Sequence, residues 1–454
     1  MRKFLSFLFL MYALTLSAQN TMYFMECLPQ NNAFNPAYIP KLNMHIGLPG
    51  ISGINVQAYN SGFNYSELDG FLDDLDNENY NPDEFINSID GKNRFLSEAR
   101  VNLLSFGFRL KDKGYFTFDL KANNILVNTA QPEVVYLLAD YDNIPSENFP
   151  IIIDEMEMLE NNFISMGFTY SRVINENLSI GLRPVINFNN IGFKTSGISC
   201  QVSREEYTER YDIGDGSGEM YENSYVEYNE TFAGQVELGL PTEVNPEAVD
   251  GNELDLDEGL LPDDWIDDIT LGNMLKNASF SIDLGATYQL DKWLFSASLL
   301  NLGTSKWRNN SYQLNGVFND DDETINIEET DKIQVGIPPQ IYLGAIRQFS
   351  SKWNYALLLN NTFYSTGSNA SATLSLNGHV GSALSTSVSY TAGYKFNNLG
   401  LGLRLRFLPG TDLYFVTDNI IQVFNYKNAQ RITAAFGINI AVGTKPDKLS
   451  EETI

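Results

Sequence analysis

The chain has 454 residues, with 29 Lys and Arg against 57 Asp and Glu, and its formal net charge of −28 repels nucleic-acid phosphate, which excludes that class of partner. Its two His and its two Cys, Cys27 and Cys200, are too few and too scattered for a zinc centre or a disulfide framework, and the two thiols either bridge or stand apart. No later run approaches the roughly 18 apolar residues of a membrane-spanning helix, although aromatic residues reach 13 %.

Residues 1–18 read as a secretory signal peptide. Arg2 and Lys3 are its basic head, Phe4 to Leu16 its apolar core, and Ser17-Ala18 a small-residue site cleaved after Ala18. Leu16 at the third position before the cut is a departure from the usual small residue. An exported chain without a spanning helix is either soluble or crosses an outer membrane as a closed barrel. Only helices and closed barrels satisfy every backbone group in lipid.

The next stretch, NNAFNPAYIP at 31–40, is neither helix nor central strand. Pro36 and Pro40 each lack a donor and restrain the residue before them. Residues 69–85 are acidic. Asn81-Pro82-Asp83-Glu84 within them has the form of a helix start, with Phe85, Ile86 and Ile89 as its apolar stripe.

From residue 100 onward the chain alternates with period two, so side chains reverse face at every residue, as in a strand. Phe116, Phe118, Leu120 and Ala122 face one way; Tyr115, Thr117, Asp119 and Lys121 face the other. Ile164, Met166, Phe168 and Tyr170 alternate with Ser165, Gly167, Thr169 and Ser171. Phe280, Ile282, Leu284, Ala286, Tyr288 and Leu290 alternate with Ser279, Ser281, Asp283, Gly285, Thr287 and Gln289. Leu401, Leu403, Leu405 and Phe407 alternate with Gly402, Arg404 and Arg406, and Ile432 to Ile440 continues the pattern.

These runs pair through short polar turns: Lys111–Gly114, Ile174–Asn177, Asp291-Lys292 and a turn including Phe396-Asn397-Asn398. Other connections are long and acidic. Residues 205–268 carry most of the net charge with Arg210 as their only base, although Tyr221–Leu238 within them still reads as strand, and Leu261-Pro262-Asp263 as a helix start. A second acidic loop spans 319–330. A membrane barrel sorts its loops this way, short at one rim and long at the other. A secreted β-sandwich, the competing architecture, has no reason to. The clearest runs also match the roughly 9–11 residues a tilted strand needs to cross a bilayer, against about 5–6 in ordinary strands. Tyr170, Tyr288, Trp293, Trp307, Tyr342, Trp353, Tyr390 and Tyr394 suit aromatic girdles, and Gly107, Gly167, Gly181 and Gly285 suit a crowded lumen face.

Asn35-Pro36-Ala37 soon after a signal peptide resembles the N-terminal hatch of the FadL-type long-chain fatty-acid channels and of the related PorV-like outer-membrane proteins. Together with FSIDLGATYQL (280–290), SASLLNLG (296–303), IPPQIYLGAIRQF (337–349) and YFVTDNI (414–420), it looks closer still to an uncharacterised outer-membrane family typical of the Bacteroidota. The resemblance implies an all-β transmembrane antiparallel barrel of about 14 strands with an N-terminal plug in its lumen, a size within the known range. It carries over only Asn35, Pro36 and Ala37 as hatch residues. The expected organisation is a signal at 1–18, hatch and first strand region at 19–97, barrel at 98–443 and a polar tail at 444–454.

By alternation Arg109, Lys121, Arg183, Asp283, Arg404 and Arg406 face the lumen, as does Asp119. The bases are expected to hold the plug, with the acidic 69–85 region as one partner, or else to pair across the wall. DIGDGSGE (212–219) offers oxygen ligands without the spacing of a calcium loop. His379, in SLNGHVGSALS, has no nucleophile signature around it, so no catalytic residue, cofactor or metal is expected. Two functions fit: a channel for hydrophobic or small solutes, or a surface barrel that binds a secretion-machinery protein through its acidic loops. Outer-membrane lipids and lipopolysaccharide are expected neighbours of either, in the outer membrane of a Gram-negative bacterium.

Overall fold

The computed structural model describes residues 19–444 apart from 75–81, 90, 112, 213–219, 252, 255–258, 263–264, 266–269, 320–321, 382 and 394–395. The signal peptide, Tyr394, most of the helix start at 261–269 and nearly all of the calcium candidate at 212–219 lie outside the described residues.

Strands follow in chain order: β1 (Leu42–Gly47), β2 (Ile54–Asn60), β3 (Asn93–Leu110), β4 (Gly114–Ala130), β5 (Ile151–Val173), β6 (Leu178–Asp212) and β7 (Met220–Gly239). Next come β8 (Val249–Asp250), β9 (Glu253–Leu254), β10 (Ala278–Leu290), β11 (Trp293–Trp307), β12 (Ser311–Asn319), β13 (Asp322–Glu329) and β14 (Ile333–Gly336). The last are β15 (Gln340–Gln348), β16 (Trp353–Tyr364), β17 (Gly367–Val380), β18 (Leu384–Gly393), β19 (Phe396–Leu408), β20 (Thr411–Thr417) and β21 (Arg431–Thr444).

Antiparallel pairing runs without interruption from β3 through β4, β5, β6, β10 and β11 to β15. It continues through β16, β17, β18, β19 and β20 to β21. β1 and β2 share the last position, each bonded to both β21 and β3, so the ring closes at 14 strands. Between β1 and β2 the ladder is interrupted by a turn with Gly50 at φ 74°, a value that favours glycine, while Leu48 and Gly50 still donate to the Ile438 and Asn102 carbonyls of the neighbouring strands. The Ser52 carbonyl there accepts from Gln30 Nε2 at 2.9 Å and the Tyr414 hydroxyl at 3.0 Å.

Alternation sets the two faces. On β10, Phe280, Ile282, Leu284, Tyr288 and Leu290 are exposed, while Ser279, Ser281, Asp283 and Thr287 are buried. The same outward apolar set recurs on β16, with Tyr355, Leu357 and Leu359, and on β19, with Leu399, Leu403, Leu405 and Phe407. A belt of this extent is stable against lipid and not against water. The fold is a transmembrane antiparallel β-barrel.

Several expectations change in detail. β19 begins at Phe396, so Asn397 and Asn398 belong to the strand and not to a turn; they pair with Ala392 and Thr391, and Asn419 Nδ2 donates to Asn398 Oδ1 at 2.8 Å. Polar residues on the inward face of a strand do not break it. Residues 205–212 are not loop either. β6 carries them beyond the barrel in a ribbon with β7, stapled by the Tyr207–Tyr225 stack at 5.6 Å and the Arg210–Glu222 pair at 2.6 Å. β12, β13 and β9 extend that sheet, and β14 pairs with upper β11. Trp307 and Tyr342 are fully buried and so are not girdle residues. Trp307 lies over the Gly192–Gly239 pair, where added Cβ atoms would meet its ring at 2.1 and 2.4 Å.

The Asp83–Ser88 helix forms where its apolar stripe suggested, with Phe85, Ile86 and Ile89 buried. Together with Leu68 and Phe71 of the Tyr65–Asp74 helix, these side chains pack on Val135, Tyr136, Leu138, Ile151, Cys200 and Val202. This cluster caps the long-loop rim. Burial and the Asp83 carboxylate raise the Tyr136 hydroxyl pKa there.

Candidate functional site

Residues 19–41 run inside the ring. The Gln19–Tyr23 helix is wholly buried, and Phe24, Met25, Leu28, Asn31, Asn32, Asn35 and Ala37 follow it. Asn35, Pro36 and Ala37 come together with a row of wall residues in register across four strands: Ser171, Gly181, Gly285 and Ser298. The two outer members donate hydroxyl hydrogen bonds, Ser171 Oγ to the Pro36 carbonyl at 2.6 Å and Ser298 Oγ to the Phe34 carbonyl at 2.7 Å. The two inner members supply room. A Cβ on Gly181 would lie 2.0 Å from the Pro36 carbonyl carbon, and one on Gly285 2.2 Å from Asn35 Oδ1.

Asn35 organises the turn from within. Its Oδ1 accepts the Ala37 N–H at 2.9 Å, and its Nδ2 reaches the Ala286 and Ala297 carbonyls at 3.4 and 3.3 Å. Pro36 suits the bend because its missing donor leaves nothing unsatisfied there. The front of the segment is held by Asp418, whose Oδ2 and Oδ1 accept the Asn20 and Thr21 N–H groups at 3.1 and 2.7 Å. The end is held by Arg109, whose Nη2 donates to the Pro40 and Leu42 carbonyls at 2.6 and 3.3 Å.

Among the described residues, the remaining charged candidates are placed in ion pairs with wall carboxylates. Arg183 Nη2 lies 2.5 Å from Asp119 Oδ1 and Nη1 lies 3.4 Å from Asp283 Oδ2, while Lys121 Nζ is 3.0 Å from Asp119. Gly167 on the intervening strand makes this possible, since a Cβ there would stand 2.5 Å from Arg183 Nε. Asp283 Oδ1 also accepts the Asn301 N–H at 2.6 Å. Arg406 pairs bidentately with Asp412, both bonds at 2.8 Å, and Arg404 Nε stands 3.6 Å from the same carboxylate. These bases pair across the wall. The acidic 69–85 region is no partner of theirs among the described residues, because its helices sit in the cap outside the barrel. Within 19–97, β1 and β2 belong to the wall, and the Tyr65–Asp74 and Asp83–Ser88 helices to the cap.

A cavity of about 100 Å³ lies between the segment and this charged wall, lined in part by Gln30, Phe34, Asp119, Lys121, Arg183 and Asp283. The opposite wall is apolar. Leu300, Tyr342, Ile346, Ala356, Leu358 and Val416 pack against Met22, Tyr23, Phe24, Leu28 and Phe34, with the Tyr23 and Tyr342 rings stacked at 5.3 Å. Alternation alone missed these inward apolar residues. Their signal was the unbroken run Ala356-Leu357-Leu358-Leu359, which marks a strand apolar on both faces.

His45 is buried with Nδ1 2.8 Å from the Tyr115 hydroxyl, and His379 Nδ1 is 2.8 Å from Ser385 Oγ. Cys27 and Cys200 are separate thiols, one in the lumen segment and one in the cap.

Comparison with known proteins gives one family match and several structural likenesses. No curated protein matches the chain. The toluene transporter TbuX of Ralstonia pickettii shares 8 % identity over 91 % of this chain and 94 % of its own, with a TM-score of 0.43. The toluene transporter TodX of P. putida shares 9 % over 90 % and 93 %, also at 0.43. A FadL homologue of Pseudomonas aeruginosa shares 9 % over 96 % and 99 %, again at 0.43. Residues 36–418, from the proline of the hatch motif to the aspartate that clamps the segment, match the profile of a family of unknown function, and the chain belongs to that family, DUF5723.

Proposed function

We propose that this protein is an outer-membrane channel of a Gram-negative cell, closed by residues 19–41 acting as a plug, that passes hydrophobic or amphiphilic small solutes. The observation that carries this reading is the two-sided lumen. One wall beneath the segment is charged and hydrogen-bonded; the other presents Tyr342, Ile346, Ala356, Leu358 and Val416. Inward apolar area of this kind is costly in a water-filled pore. It is stable while covered by the segment, and it is the surface a hydrophobic solute would follow once the segment gives way. The hatch resemblance at Asn35-Pro36-Ala37 points the same way.

The test compares the full chain with a variant lacking residues 19–41 in planar bilayers and in liposomes loaded with a hydrophobic dye. Higher conductance and faster dye passage in the variant are expected. A variant that keeps the heat-modifiable gel mobility of a folded barrel yet passes neither ions nor dye would overturn the channel and leave a surface-binding role.

A further inference from the structure

Four cations gather on the outer surface of one barrel sector, at the upper edge of the lipid-facing belt. Above the Ser281–Gly303 pair, β10 and β11 part company: β11 leaves β10 and pairs with β14 from Thr304 to Trp307. The parting opens a cleft of about 300 Å³ lined by Ser279, Phe280, Gly303, Thr304, Lys306 and Arg308. Phe280 at its foot is 71 % exposed, more than any other large apolar residue of β10, and Ile282 continues the apolar belt below it.

Alternation places Lys306 and Arg308 on the outward side, since Ser305 and Trp307 between them are fully buried. Lys332 is exposed and immediately precedes β14, one residue beyond the Trp307–Ile333 pair, as Arg308 is on the other chain segment. Lys276 closes the group from the short helix before β10, which Asn277 ties to this rim by accepting the Arg308 N–H at 2.9 Å. Arg308 Nη1 donates to the Ala278 carbonyl at 2.9 Å, which holds its guanidinium over the cleft. Among the described residues no carboxylate lies within 4.0 Å of any of these four cations, although Asp331 is their sequence neighbour. In a chain of net charge −28, cations gathered at one place with no carboxylate partner among the described residues would attract an anionic group at the membrane surface.

We infer that this sector is a binding site for the phosphorylated headgroup of an outer-leaflet lipid. Its phosphate sits among Lys276, Lys306, Arg308 and Lys332, and an acyl chain runs down over Phe280 and Ile282. Basic groups at a membrane surface attract anionic headgroups, and aromatic and apolar residues just below them take the chain. The inference rests on the lipid-facing belt and on the long-loop rim facing outward, and it holds whether or not the barrel conducts.

The test is native mass spectrometry of the full chain with lipid A, with phosphatidylcholine and with inorganic phosphate. Retention of lipid A above phosphatidylcholine is expected, weakened about tenfold in a Lys306→Glu, Arg308→Glu variant. Equal retention by that variant, or equal binding of phosphatidylcholine, overturns the site. Binding of inorganic phosphate as tightly as lipid A overturns the lipid as its source. Should the double variant fail to fold, Phe280→Ser serves instead: it is expected to weaken lipid A and leave phosphate unchanged, and unchanged lipid A retention counts against the proposal.

Discussion

Gly181 and Gly285 face each other in register across β6 and β10, and both press against the backbone and side chain of Asn35-Pro36. A side chain at either position occupies the space of the lumen segment. Gly285→Leu is therefore expected to displace residues 34–37. The barrel itself should close, because its outward face and ladder are untouched. Overpacking of this kind costs about 1–3 kcal/mol. Limited proteolysis should cut the segment in the variant and spare it in the native chain. An uncut segment with unchanged conductance would count against its role as the closure.

Asp418 holds the front of the segment through two backbone N–H groups and is almost fully buried. Asp418→Ala leaves both donors without that acceptor, each worth about 1–3 kcal/mol when orphaned. Amide exchange at Asn20 and Thr21 is expected to speed up by at least tenfold, while exchange in β10 and β11 stays slow. Asp418→Asn, which keeps one acceptor, should fall between.

The Asp119–Arg183–Asp283 network is expected to be more costly to break than to replace. Arg183→Leu leaves buried Asp283 without its cation and Asp119 with Lys121 alone, and removing one partner of a buried pair costs about 3–5 kcal/mol. Adding Asp283→Asn to Arg183→Leu should recover much of that loss, because Asp119 keeps Lys121. Urea unfolding in detergent, followed by gel mobility, reads both. A double variant no more stable than the single one would show that geometry, not charge balance, sets the cost.

Cys200 lies in the cap, outside the membrane, where burial and then the Glu230 carboxylate push its thiol up to about 11. Near pH 8 about one thiol in a thousand is then ionised, so in a Cys27→Ala background the folded chain should resist maleimide and react at once when unfolded. The sign for stability follows from the raised value. Above the ordinary thiol range of about 8.5 the unfolded chain loses this proton first, so stability falls as pH rises toward 11. Fast labelling of the folded chain at pH 8 would show that the cap opens.

Period two in residues 279–290 made the barrel wall legible, because which side chains meet lipid is a local property of a strand. The same rule located Arg183, Asp283, Arg404 and Arg406 on the inner face. It could not say what each would meet there. Arg109 reaches the segment and Arg183 does not, a difference set by which strands lie beside β3 and β6 in the closed ring. Trp307 and Tyr342 were misread for a similar reason. An aromatic residue at a strand end is the same in sequence whether it turns to lipid or to a glycine floor.

The sequence by itself determined a closed barrel, its two faces, and a stiff proline-bearing segment that no strand could absorb. Hydrophobic alternation and the missing proline donor act within a few residues, so a one-dimensional pattern suffices. Only the tertiary structure decided that Ser171, Gly181, Gly285 and Ser298 form one row beneath Asn35-Pro36-Ala37, and that four cations scattered from Lys276 to Lys332 share one outer face. Register between strands far apart in the chain brings those residues together, and it is fixed by ring closure, not by any local run of sequence.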